Sequence, residues 1–394
     1  MQKPQIINIM DGEIADSQLV REFEISELCR DGRYAFVGFI NKKNRMLISV
    51  PKHFNYTDDS DIKLIIRCIL KSFRDTDKGS TQMIDCNIPY RAYTLICDYY
   101  NRYGLFKNNV RVSKSGYSGN IDWNRTVRKS QKIISGKNLI FLPFEIRKNE
   151  QYNTFLGECM KYTINDGYEQ FGRYAGIGEK IDSDGYHFNF KNTQAVIKKL
   201  KEEEEKYFKD SEIQLIRAMI SYFRWQGSIT ESSYFLTQAF ALSWEAMVQN
   251  YLNNNLLRYD NYSKNMIFER GCKKFNFHKR RDSTESVINQ KKNHDFTVEY
   301  DHFFEQQEEG KVWIFDSKYY QRMSELNYKQ VAYSYFLMND IYGKRVLPEK
   351  IINGLVMPYE GEYYSRVHID RRDIDGIYIQ EHYLNIRDVM RSYI

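Results

Sequence analysis

The chain has 394 residues, 42% hydrophobic and 28% charged, and 58 basic against 52 acidic residues leave a net charge of +6. That composition excludes a mainly disordered chain. Six prolines exclude a proline-rich linker, and the lack of an 18-residue apolar run excludes a membrane-spanning helix. The opening MQKPQIINIMDGEIADSQ has no apolar core of signal length, so the expected compartment is the cytoplasm. Six scattered cysteines with no CxxC pair fit reduced thiols rather than disulfides or structural zinc.

Three regions are expected. The first, residues 1–150, opens with strand-like runs at Arg33–Ile40 and Arg45–Phe54. Helical patterns follow at Asp61–Phe73, where Ile62, Ile65, Ile66 and Leu70 recur at helical spacing, and at Arg91–Gly104. The polar stretch Ser113–Ser130 reads as a flexible loop, and a short apolar run follows at Asn138–Phe144. The second region, 151–230, is predicted to be mainly helical. Ala195–Phe208 is densely charged, and Ser211 with Gln214 makes a capping pattern that starts a new helix through Phe223. The third region, 231–394, reads helix, three strands, helix and strand, then one more strand and a terminal helix. Its helices are expected at Tyr234–Leu252 and Glu325–Tyr342. Its strands are expected at Asn265–Glu269, Asp295–Phe304, Lys311–Tyr320 and Ile351–Met357. Lysine-rich Lys273–Lys292 reads as a long loop. The fold class is therefore α/β (α+β).

The most informative segments are HDFTVEYDHFF and KVWIFDSKYY. Strand side chains repeat every two residues, so Asp316 and Lys318 share a face with Val312 and Ile314, and Ser317 points away. That face is apolar until its end, where a sheet opens into a cleft. Alone, an Asp-x-Lys triplet on a strand edge is a solvated ion pair. The context adds an upstream acid, Asp295, a helical acid, Glu245, and a later helix with Gln330 and Tyr333 on one face. Two close carboxylates repel each other and favour a divalent cation, and Mg²⁺ prefers hard oxygen ligands. A cation there polarises a phosphodiester and lowers the pKa of a water, and a neighbouring lysine neutralises charge developing on the phosphate.

Helix Glu, Asp, Asp-x-Lys-Tyr and Gln-x-x-Tyr, in that order, resemble the PD-(D/E)XK nuclease superfamily. FALSWEAMVQNYL, HDFTVEYDHFF, WIFDSKYY and NYKQVAYSYFL resemble the nuclease subunits of McrBC-like restriction systems, McrC and above all the LlaJI type. YAFVGFI, LISVPKHF and SGNIDWNRTV extend the likeness to the N-terminal part. The resemblance implies a nuclease domain at 231–394, with a mixed sheet flanked by helices; it covers both ends of the chain, and the helical pattern of 151–230 reads as a connector between them. It implies Mg²⁺, with Mn²⁺ as a substitute, bound by Asp295, Asp316 and the backbone carbonyl of Ser317. Lys318 would be the catalytic lysine, Glu245 an accessory acid, and Gln330 and Tyr333 supports for Lys318 or contacts to the DNA backbone. His294 stands where the family motif has proline.

Lys279, Arg280, Arg281, Lys291 and Lys292 bring positive charge to the segment before Asp295, where a double-stranded DNA backbone would be attracted. Trp123, Arg125 and Arg128 belong to residue types enriched at interface hot spots. The resemblance implies that region 1–150 docks on a McrB-like AAA+ GTPase hexamer. A second copy of the chain is a further candidate partner for double-strand cutting, and the sequence leaves open whether two nuclease domains must meet. The chain itself binds no nucleotide, because no G-x-x-x-x-G-K-[ST] occurs. A reading of another class is a non-cleaving adaptor that binds DNA and regulates the GTPase ring.

Overall fold

The computed structural model describes residues 4–42, 45–75, 85–136, 138–182, 185–228, 232–283, 297–339 and 345–394. It is a mixed α/β chain that divides into two compact units. One comprises residues 1–87, 174–176 and 231–394, and the other comprises 88–173 and 177–230. The division expected from sequence was sequential, but residues 1–87 fold with 231–394.

In the first unit, a five-stranded sheet runs in the order Gln5–Met10, Arg45–Val50, Val37–Lys42, Ser232–Thr237, Asp85–Cys86. Ser232–Thr237, from Tyr234 on, was expected to be helical. It is instead a strand antiparallel to Val37–Lys42, and the helix starts at Phe240 and runs to Asn255. Leu236 and Phe240 suit a helical stripe, but SSYFLT also suits a strand, and long-range pairing decides between them. Gly38 permits that pairing, since a Cβ there would lie 2.2 Å from the Phe235 carbonyl oxygen. One face of this sheet buries Ile9, Ile40, Leu47 and Leu236 against Phe23 and Ile25.

The second sheet of this unit has six strands, ordered His278–Ser283, Thr297–Gln306, Lys311–Ser317, Ile351–Tyr359, Ile377–Asn385, Tyr364–Arg371. Lys311–Ser317, Ile351–Tyr359 and Ile377–Asn385 are mutually parallel, and the other pairings are antiparallel. This is the mixed sheet that was expected. Part of the supposed lysine-rich loop, His278–Ser283, is its edge strand. The helix Tyr328–Met338 lies in the crossover between two parallel strands and covers one face through Tyr333 and Leu337.

The other unit is helical at Tyr90–Tyr103, Phe155–Gly167, Thr193–Glu204 and Asp210–Ser228. Its strands Lys107–Gly116, Phe144–Asn153 and Asn120–Ile121 form a three-stranded sheet, and Gln131–Ser135 pairs with Asn138–Leu142 as a separate hairpin. The stretch Ser113–Ser130 is thus strand and short helix rather than loop. Among the described residues, no helix is long and apolar enough to cross a membrane.

Candidate active site

Lys311–Ser317, KVWIFDS, is a strand because apolar and aromatic residues fill it and it is paired on both edges. Val312 and Ile314 sit in the cluster under the Tyr328–Met338 helix, and the two-residue period carries Asp316 onto the same face. Asp316 is fully buried at the carboxyl end of a parallel pair, where open α/β sheets bind ligands. Lys318 leaves the strand with its N–H donating to the Val356 carbonyl at 2.9 Å. Its Nζ returns to 2.5 Å from Asp316 Oδ2, and Lys329 Nζ, from the helix, lies 3.6 Å from Oδ1. The Lys329 contact is too long for a hydrogen bond, and both carboxylate oxygens are buried with these ion-pair contacts and no well-formed hydrogen bond.

The neighbouring strand supplies a second acid. His302 is opposite Phe315, so one step further along the ladder Asp301 is opposite Asp316. On the other edge, His278 pairs with Phe303 and Arg280 with Tyr300, leaving Lys279 alone against Asp301 and His302. Such a bulge re-aims side chains, and bulges are frequent beside active sites. Burial, with Asp301 alongside, pushes the Asp316 carboxyl up to about 6, against the pull of Lys318. Burial also keeps the imidazole of His302 neutral, its pKa down to about 3, and its Nε2 lies 2.6 Å from Ser317 Oγ. Ser317 is therefore held on the face opposite Asp316.

Glu245, on the Phe240–Asn255 helix, pairs with Lys279 at 3.2 Å, and Lys279 also reaches Glu299 at 2.6 Å. Arg281 meets Glu299 at 2.5 Å, and the Arg280 guanidinium stacks 4.3 Å from the Phe303 ring centre. The expected DNA-binding cations Lys279 and Arg281 are thus already paired with strand and helix carboxylates. Gln330 is buried with Oε1 unpartnered, and its carbonyl accepts from Asn353. Tyr333, expected at the DNA, is buried. Its hydroxyl donates to the Glu299 carbonyl and its ring lies 4.5 Å from Tyr300, so it braces the strand from inside. Asp295, Lys291 and Lys292 lie outside the described residues.

Sequence reasoning missed Asp301 and Lys329. The signal for Asp301 was the Gln307–Gly310 turn, because folding the two strands back about it sets residue 301 against 316. The signal for Lys329 was its i,i+4 spacing to Tyr333. Burial opposes its charge, but Tyr333, Asp316 and Asp301 outweigh that and raise its pKa.

Among the described residues, no group of three or more His, Cys, Asp or Glu side chains is placed to hold a metal ion. Mg²⁺ needs only one or two carboxylates because it retains waters. The buried oxygens of Asp316, lacking a well-formed hydrogen bond and facing Asp301, fit that requirement.

The unit formed by 88–173 and 177–230 carries a second notable surface. Asp122 caps the short helix Trp123–Lys129 through the Arg125 N–H and binds Arg147 at 2.8 Å. Thr126 faces in, accepting from the Glu145 N–H, while Arg125, Val127 and Arg128 face out. Trp123 is 57% exposed, packed edge-on to Phe144. On the separate hairpin, Ile134 is 79% exposed and Leu139 is 54%.

The profile of the LlaJI restriction endonucleases matches residues 36–332, well over half the chain. The chain belongs to the LlaJI restriction endonuclease family. That segment takes in both Asp301 and the Asp316–Lys318 triplet, and it places the chain among restriction-system nucleases. Comparison with curated proteins returns no match. Among solved structures, a chain of a half-complex from the tetradecameric assembly of Thermococcus gammatolerans McrB AAA+ hexamers with bound McrC is 13% identical. The match covers 99% of this chain and 98% of that one, with a TM-score of 0.34. A chain of the Thermococcus gammatolerans McrBC complex is 15% identical over 62% of this chain and 88% of its own, with a TM-score of 0.24.

Proposed function

We propose that this LlaJI-family chain is the Mg²⁺-dependent endodeoxyribonuclease subunit of a GTP-dependent restriction system, cutting double-stranded DNA. The observation that carries the reading is a buried Asp316 facing Asp301, flanked by Lys318 and Lys329 at the open end of a parallel strand. Asp316 and Asp301, with the Ser317 carbonyl, would hold the metal. Asp295 is the other candidate for the second acid, on the sequence pattern alone. When bound, Mg²⁺ supplies Lewis-acid polarisation of the phosphodiester and a water of lowered pKa, and Mn²⁺ would substitute. Lys318 places a positive charge where the phosphate gains negative charge, and Lys329 adds a second from the helix. Glu245 keeps Lys279 beside the bulge and acts on the site only through it.

The partner would be a McrB-like AAA+ GTPase ring. The exposed Trp123, with Arg125 and Arg128 on the same short helix, and the exposed Ile134 and Leu139 of the hairpin are apolar and basic side chains that such a partner would cover. A second copy of the chain would cut the second strand. The test is plasmid cleavage in Mg²⁺ by wild type, Asp316→Ala and Lys318→Ala, with and without a McrB-like ring and GTP. Cleavage by wild type alone is expected. No cleavage under any condition, with unchanged GTPase stimulation by both variants, would favour the adaptor reading.

A further inference from the structure

Tyr319 and Tyr320, directly after Lys318, are gripped by the five-stranded sheet. Gln5–Met10 and Arg45–Val50 run parallel with Met10 opposite Val50, and the Asp11 N–H donates to the Val50 carbonyl at 2.9 Å. Asp11 and Lys52 therefore follow the carboxyl ends of two adjacent parallel strands, the position that ordinarily receives a ligand. Here Tyr319 fills it. The Lys52 N–H donates to the Tyr319 hydroxyl at 2.7 Å, and the same hydroxyl contacts the buried Asp11 carboxylate, so its donor and acceptor are both used. Lys52 Nζ donates to the Tyr319 carbonyl at 3.2 Å and stands 4.7 Å from the ring centre. His53, held at φ +61°, places Nε2 3.1 Å from the Tyr320 carbonyl. Phe240 closes the other side of the ring at 5.2 Å.

We infer that Asp11, Lys52 and Tyr319 form a clamp that positions Lys318, making the N-terminal sheet a working part of the nuclease site. The inference rests on the nuclease reading above. Lys318 is anchored on both sides, by Val356 through its own N–H and by the clamp through the next residue. A lysine that must neutralise a phosphate gains from a fixed backbone, because small misplacements cost rate steeply. Asp11, Lys52 and Tyr319 are inferred to act through the backbone next to Lys318, so they are positioning residues. The clamp also gives a physical reason for residues 1–87 to fold with 231–394.

The test uses the full chain with Lys52→Met, Lys52→Arg and Tyr319→Phe. Lys52→Met removes the ammonium contacts and keeps the backbone N–H, and Tyr319→Phe keeps the ring and removes only the hydroxyl. Hydrogen–deuterium exchange is read at Lys318–Tyr320 in metal-free protein, together with plasmid cleavage in Mg²⁺ with a McrB-like ring and GTP, and DNA affinity in Ca²⁺. Lys52→Met and Tyr319→Phe should each slow cleavage on the order of tenfold while DNA affinity stays within about twofold. Exchange at Lys318–Tyr320 should quicken on the order of tenfold, and Lys52→Arg should recover most of both losses. Unchanged exchange in both Lys52→Met and Tyr319→Phe, or unchanged cleavage despite faster exchange, would overturn the clamp. A wild type that fails to cut would sink the nuclease reading alone, because exchange still decides whether the clamp holds this segment.

Discussion

Two regions of this molecule depart from ordinary burial in opposite senses. At the end of Lys311–Ser317 a carboxylate is buried where a folded chain prefers hydrocarbon. On the Gln131–Leu142 hairpin and the Trp123–Lys129 helix, large apolar side chains stand in water. Buried polar groups without partners and exposed apolar patches are the informative departures, since each lowers stability unless something completes it. On the proposed reading, the first region would take a cation and an anionic substrate, and the second a protein surface. Asp61 shows the contrast with a purely structural acid. It is as buried as Asp316, yet it accepts from the Thr57 N–H and Oγ1 at 2.7 Å each and pairs with Arg387. Burial works against its charge, but Arg387 and Thr57 outweigh burial and hold it below 3.8. Asp316 goes the other way.

Substituting both acids separates completed from incomplete burial. Asp316→Asn should cut plasmid cleavage on the order of a thousandfold, the equivalent of about 4 kcal/mol, because the metal loses its principal ligand. In the same variant, urea unfolding of metal-free protein should show unchanged or increased stability, since a desolvated charge is removed. Lost stability there would mean that Asp316 is structural.

Asp61→Asn should do the reverse, costing about 3 kcal/mol at neutral pH by leaving Arg387 without its partner. Because the folded pKa of Asp61 is depressed, its stabilisation is present above the unfolded value and fades as pH falls through the folded one. The gap between wild type and variant in urea melts should therefore close below about pH 4. A gap that persists in acid would show that packing, not charge, carries the effect.

The exposed region is tested by Trp123→Ala and Ile134→Ser, which should each weaken binding to a McrB-like ring by about 2 kcal/mol, roughly thirtyfold. Their melting temperatures should change little, because Ile134 is mostly in water and Trp123 packs only edge-on to Phe144. A fall would place them in a core. The smallest expected effect is Lys329→Ala, which should slow cleavage on the order of tenfold, since half its side chain is solvated and its charge is partly screened.

How far the sequence reveals these features follows from which contacts are local. The face carrying Val312, Ile314, Asp316 and Lys318 is legible, because a period of two needs no knowledge of the partner strand. So are the stripes of the Phe240–Asn255 and Asp210–Ser228 helices. Asp301 is not legible by that route. Its place opposite Asp316 follows only once the Gln307–Gly310 turn is found, and the bulge opposite Lys279 is encoded by no local spacing. Ser232–Thr237 is ambiguous between two periods until Val37–Lys42, far away in sequence, claims it as a strand. The Tyr319 clamp joins residues 267 positions apart, so only the fold reveals it.

The most direct test of the account is metal binding and plasmid nicking measured together for Asp301→Asn, Asp295→Asn and Asp316→Asn. Mn²⁺ would be titrated calorimetrically into each protein and nicking followed in Mg²⁺ with a McrB-like ring and GTP. The account predicts that Asp301→Asn and Asp316→Asn lose both the Mn²⁺ heat and the nicking, while Asp295→Asn keeps both. Full metal binding and nicking by Asp301→Asn would contradict it and return the second acid to Asp295.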